Sequence, residues 1–100
     1  MYGNAFWKPV NFSSLRIEKW NEGVTVFQPD SGKTHFLNEM SLQIILNLNQ
    51  FFVTEEELCS TLADQFQLTN DEKFFQQIIK ILHHFDELGL IEKVRLEYSP

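Results

Sequence analysis

Residues 20–38 read W-N-E-G-V-T-V-F-Q-P-D-S-G-K-T-H-F-L-N, two short strands with a turn between them and a helix cap at the far end. Val24, Val26 and Gln28 fall on one side of the first of these strands, Thr25 and Phe27 on the other. Such β-branched and aromatic content suits a pleated, half-buried surface. Pro29, Asp30, Ser31 and Gly32 interrupt the run: proline pre-sets φ, Asp and Ser bond to local backbone, and Gly accepts a positive φ. Residues 34–37 resume an extended run, and Asn38 is placed to cap a helix by accepting a backbone N–H. A chain built around a hairpin that feeds a helix is confined to a domain of sheet and helix.

The flanking segments extend that pattern. Residues 1–14 carry Tyr2, Phe6 and Trp7 among polar residues, with Lys8-Pro9 and Ser13-Ser14 as breakers, and read as an N-terminal arm that docks through its aromatics. Residues 15–19 alternate, Leu15 and Ile17 against Arg16 and Glu18, as a half-exposed first strand does. Asn21-Glu22-Gly23 turns it into the second. Beyond the hairpin, Met40, Leu42, Ile44, Ile45, Leu46 and Leu48 mark a largely buried helix ending near Asn49. Thr54-Glu55-Glu56-Glu57 is a capping box whose acidic first turn complements the helix dipole. The helix it opens runs to about Phe66 and buries Leu58, Leu62 and Phe66.

A third helix is capped by Thr69 or Asn70 and stopped by Gly89 after Leu88. At ~100° per residue, its apolar residues Leu88, Ile81, Phe74, Phe85, Ile78, Leu82, Phe75 and Ile79 cover roughly 180° of circumference. One core contact needs less, so the two edges of this arc face different things. Leu90, Ile91, Val94, Leu96 and Tyr98 form a closing apolar segment, a short strand or wing. The expected fold is α+β, a three-stranded antiparallel sheet followed by three helices, winged-helix-like, with the domain over residues 15–98.

Composition narrows the function. The 100 residues hold one modest core, with 43% hydrophobic residues and 10 Phe to fill it. The formal net charge is −6, and the 8 Lys and Arg are scattered. Phosphate neutralisation drives most nucleic-acid affinity, so a DNA or RNA ligand is not expected. The alternative kept is a winged-helix DNA-binding regulator reading DNA through a helix and a wing near Lys93 and Arg95. Cys59 is alone, the opening residues lack the pattern of a signal peptide, and no apolar run approaches the ~20 residues that span a bilayer. A cytoplasmic protein with no membrane partner is expected.

No constellation in the chain points to catalysis. Ser31-Gly32-Lys33-Thr34 resembles the end of a phosphate-binding loop, but Phe27 stands where that motif needs Gly, and a strand follows instead of a helix. His83 and His84 are adjacent on a helix, about 100° apart, and do not grip one metal as an i, i+4 pair does. Cys59 lies beside Leu58 and Leu62 without a general base, which reads as a buried structural thiol. Trp20, Phe51 and Phe52 are read as core packing, and Glu55, Glu56 and Glu57 as a helix start. No enzyme activity, catalytic residue, metal or cofactor is expected.

Several of these residues occur in an order and spacing that resemble a known family. Trp20-x-x-Gly23, Ser31-Gly32-x-Thr34-His35-x-Leu37-Asn38, the apolar helix, the Thr-Glu-Glu-Glu-Leu helix start and the closing Leu88-Gly89-Leu90-Ile91-Glu92 look like PqqD-type proteins. Within these, the likeness is to the branch described as peptide chaperones of a system containing an HPr-kinase-related protein. It covers roughly residues 15–93. The resemblance implies a RiPP recognition element, a domain that binds the leader of a ribosomally made precursor peptide as an added strand beside its third strand, in a cleft walled by its third helix. It is non-catalytic and presents the peptide to a modifying enzyme, with an HPr-kinase-related protein as the candidate. Carried onto this chain, the peptide-binding residues are Lys33, Thr34, His35, Phe36 and Leu37, with Phe74, Gln77, Ile78, Ile81, His84 and Leu88 from one edge of the helix. The expected state is a monomer or weak dimer. An edge strand with unpaired N–H and C=O groups beside apolar pockets is physically suited to such capture.

Overall fold

The computed structural model describes residues 6–94. Its elements are strands β1 (Phe6–Pro9), β2 (Arg16–Trp20), β3 (Gly23–Gln28) and β4 (Lys33–Leu37), helices α1 (Glu39–Gln50), α2 (Glu55–Phe66) and α3 (Glu72–Glu87), and strand β5 (Ile91–Val94). The architecture is α+β, with an antiparallel sheet in the order β2-β3-β4 followed by three helices.

Local chemistry accounts for the hairpin. Gln28 closes the turn by accepting from Ser31 N at 3.2 Å and Gly32 N at 2.8 Å. Gly32 sits at φ 72, a left-handed conformation that a Cβ disfavours. The register then pairs Val24 with Leu37, Val26 with His35 and Gln28 with Lys33. Residues opposite one another share a face, so Val24, Val26, Gln28, His35 and Leu37 point inward while Thr25, Phe27, Thr34 and Phe36 point outward. The inner face is where the helices lie: α1 packs on β3 and β4, and also on β1 and α2.

Helix starts follow their caps. Asn38 Oδ1 accepts from Ser41 N at 2.8 Å, and Thr54 and Glu57 form the reciprocal capping box. The third cap lies later than expected: Asp71, not Thr69 or Asn70, accepts from Phe74 N at 2.9 Å. An ionised side chain at that position also meets the positive end of the helix dipole. Gly89, at φ 77, ends α3 and turns the chain into β5.

The segment read as an arm is built into the fold. β1 pairs antiparallel with β5 in a second, two-stranded sheet, Phe6 opposite Val94 and Pro9 opposite Ile91. Trp7 is buried, its indole N–H donates to Glu55 Oε2 at 2.7 Å, and the Lys93 ammonium lies 5.2 Å from the ring centroid. Tyr2, Arg95, Leu96 and Tyr98 lie outside the described residues. The core joins Trp7, Val24, Val26 and Leu37 to Leu42, Ile44, Ile45 and Leu48 of α1, Leu58, Cys59 and Leu62 of α2, and Phe74, Ile78, Leu82 and Phe85 of α3. Phe66, expected inside, is half-buried at the end of α2.

Three aromatic expectations are corrected. Trp20 is 58% exposed, with its indole N–H donating to Thr25 Oγ1 at 2.9 Å along the outer face of the sheet. The helices lie on the other face, and no described element covers this one. Phe51 and Phe52 are also exposed, between α1 and α2, and Phe52 stacks on Phe6 at 4.1 Å between centroids.

Candidate functional site

β4 is an edge strand. It pairs with β3 alone, and its other side carries no backbone pairing among the described residues. In an antiparallel ladder alternate residues aim their N–H and C=O groups away from the partner strand. β4 therefore offers a row of backbone donors and acceptors to one more extended chain.

That edge opens onto a cleft of about 590 Å³ whose opposite wall is the C-terminal half of α3. Thr34, His35, Phe36 and Leu37 line it from β4, and Lys80, Ile81, His84, Phe85 and Leu88 from α3, with Asn38 and Ser41 at the start of α1 closing one end. The helical row explains the wall: residues 77, 80, 81, 84 and 88 lie along one edge of α3. Of the rest of the apolar arc, Phe74, Ile78, Leu82 and Phe85 are buried, and Phe75 and Ile79 are half-buried.

Of the residues expected to bind, the cleft brings together Thr34, His35, Phe36, Leu37, Ile81, His84 and Leu88. Lys33 stands at the turn end of β4, exposed. Gln77 is exposed one turn before Ile81, on the same edge of α3 beyond the lining residues. Phe74 and Ile78, at 7% and 1% exposure, belong to the core beneath the wall. Lys80, Phe85, Asn38 and Ser41 were not anticipated. Lys80 was open to detection, because it stands four residues before His84 on the same row.

A polar cluster around Gln28 ties His35 of β4 to the turn that follows α3. Gln28 is buried, and its Nε2 donates to the Gly89 carbonyl at 3.1 Å. Its Oε1 accepts from Ser31 Oγ at 2.9 Å and meets His35 Nε2 at 2.9 Å. An amide oxygen only accepts, so His35 carries its proton on Nε2 and donates. No buried side-chain N or O lacks a partner among the described residues, so this cluster adds rigidity without an unpaired group.

Burial, then the charges of Lys33 and His84, lower the His35 pKa from 6.5. The folded chain thus binds less proton here than the unfolded one, and stability falls as pH drops through 6.5 toward the folded value. Thermal melts of wild type and His35→Gln are expected to diverge in their pH dependence on acidification, the wild type losing more. Parallel curves would show that His35 does not titrate differently in the two states. The other histidines are placed apart: His83 meets the Trp7 ring edge-on at 5.8 Å, and His84 Nδ1 lies 4.0 Å from Glu87 Oε1. Cys59 is buried, its pKa pushed up to about 11 by burial and then by Glu55 and Glu56, which keeps it a neutral thiol.

On the outer side of β4, Phe36 is 84% exposed and shares a second hollow with Trp20 and Thr25. The end of β4 thus separates two concave surfaces, the cleft toward α3 and an aromatic shelf on the open face of the sheet. No helix among the described residues is long and apolar enough to cross a membrane. No protein-family model matches the chain, and neither a curated protein nor a solved structure does.

Proposed function

We propose that this domain is a non-catalytic peptide-binding adaptor of the PqqD-like kind, acting in the cytoplasm. It captures the leader of a ribosomally made precursor peptide by strand addition and presents it to a peptide-modifying enzyme, for which an HPr-kinase-related protein is the candidate. The observation that carries this reading is the unpaired outer edge of β4, set against Ile81, His84 and Leu88 across an open cleft. Backbone pairing supplies affinity in such recognition, and the flanking walls read alternate side chains. The buried Gln28 cluster holds the edge in place before any peptide arrives, which lowers the ordering cost of binding.

Selection of a random dodecapeptide display library on the full chain tests the mechanism. Selected peptides are expected to slow amide hydrogen exchange at alternate positions of Lys33–Leu37, with β2 unchanged. Binders that protect some other surface, or protect nothing, would rule out strand capture on β4.

A further inference from the structure

The charge around the cleft runs against the charge of the chain. The net charge is −6, yet none of the lining residues is Asp or Glu. Lys80 lines the wall, Lys33 flanks the other side, and neither forms an ion pair among the described residues. His35 and His84 lie between them, and the Glu87 carboxylate near His84 Nδ1 has a side chain 80% exposed. The lowering of the His35 pKa, due first to burial and then to Lys33 and His84, is in keeping with the same local excess of positive charge. Two lysines away from the cleft have acidic partners, Lys8 with Glu92 at 3.5 Å and Lys19 with Glu39 at 3.8 Å, whereas Lys93 lies over the Trp7 ring.

The two faces of an added strand then meet different chemistry. Side chains alternate across a strand, and direct cross-strand neighbours lie about 5 Å apart. Residues of the incoming chain that share the inner face with His35 point toward Lys80 and His84. Those that share the outer face lie beside Phe36, which is 84% exposed and borders the hollow it shares with Trp20.

Resting on the strand-capture reading, we propose that the occupant is an acidic peptide segment of alternating pattern, with Asp or Glu turned toward Lys33, Lys80 and His84 and large apolar residues turned toward Phe36. Carboxylates brought to a cationic wall steer the encounter and set its register, and apolar residues on the shelf slow release. A neutral or basic strand would find the same backbone edge but leave the two lysines unpaired.

Sequencing the peptides selected by wild type and by a Lys33→Glu, Lys80→Glu double variant tests this. The wild-type pool is expected to carry acidic residues at every second position with Leu, Ile or Phe between them. The double variant is expected to bind a wild-type-selected peptide ~10-fold more weakly at low salt, with the gap closing as salt is raised, and to select Lys and Arg instead. Wild-type peptides without acidic bias that still protect β4 from hydrogen exchange would overturn the charge proposal and leave strand capture standing. An absence of binders, or binders that bypass β4, would overturn both. An oligothymidylate that displaces the selected peptides at comparable concentration would overturn the acidic-peptide assignment in favour of phosphate.

Discussion

Ile78→Ala is expected to cost the domain ~2–5 kcal/mol, while Ile81→Ala, less than one turn further along α3, costs about 1 kcal/mol and acts on peptide binding instead. Ile78 is 1% exposed and touches the core, so truncation removes its transfer energy and leaves a cavity that the surrounding Leu and Phe side chains fill only partly. A domain of this size holds roughly 5–15 kcal/mol in total, which makes the first substitution a large fraction of its stability. Ile81 is half-buried on the cleft wall, where water already reaches part of the side chain. Losing its contact with a bound peptide is expected to weaken affinity ~5-fold. Urea titrations measure the first effect as a shifted midpoint at unchanged slope, and fluorescence anisotropy with a selected peptide measures the second. Equal destabilisation by the two substitutions would mean that the core extends under the cleft wall. Unchanged peptide affinity in Ile81→Ala would mean that this wall is not used.

The contrast between these neighbours also marks how far the chain can be read without a structure. An apolar arc spread over half of α3 signals two tasks, but helical period alone does not say which edge meets the sheet. That depends on how α3 docks against α2 and β5, which the period within α3 does not encode. Phe74 and Ile78 share the period of Ile81 and Leu88, yet the first two face inward. The hairpin and the α1 and α2 starts were legible because their causes are local: Gly32 at positive φ, Asn38 bonded to Ser41, Thr54 and Glu57 capping each other. Three consecutive cap-forming residues, Thr69, Asn70 and Asp71, left the start of α3 ambiguous, and the last of them took the role.

Trp20 illustrates a different limit. Both faces of the sheet carry apolar residues, Val24 and Val26 on one and Phe27, Phe36 and Trp20 on the other, so alternation identifies two faces without saying which is covered. The helices cover one, and on the other Trp20 and Phe36 are left to solvent while Phe27 is half-buried. The pairing of β1 with β5 joins the two ends of the described chain, Phe6 with Val94, and has no local signature in either segment.

Backbone N-methylation of a selected peptide is expected to show a two-residue period, and this is the sharpest test of strand capture. In an antiparallel or parallel added strand, every second N–H of the ligand points at β4 and the others point to solvent. Methylating a residue of the first set removes a donor and puts a methyl group against the β4 backbone. Methylating the second set leaves the ladder intact. Each lost hydrogen bond is worth about 1 kcal/mol, and the steric displacement of the strand adds to it, so the in-phase peptide is expected to bind ~10–100-fold more weakly. Its out-of-phase counterpart, shifted by one residue with the same composition, should stay within about threefold of the parent, since a solvent-facing amide contributes little. Anisotropy titrations of a methyl scan across the peptide give the pattern directly. A helical ligand lying in the cleft through its side chains would instead show losses at every position, because any internal N-methyl group breaks an i to i−4 bond, and a side-chain-only contact would show none. Only an alternating pattern is compatible with an extended chain pairing on the free edge of Lys33–Leu37.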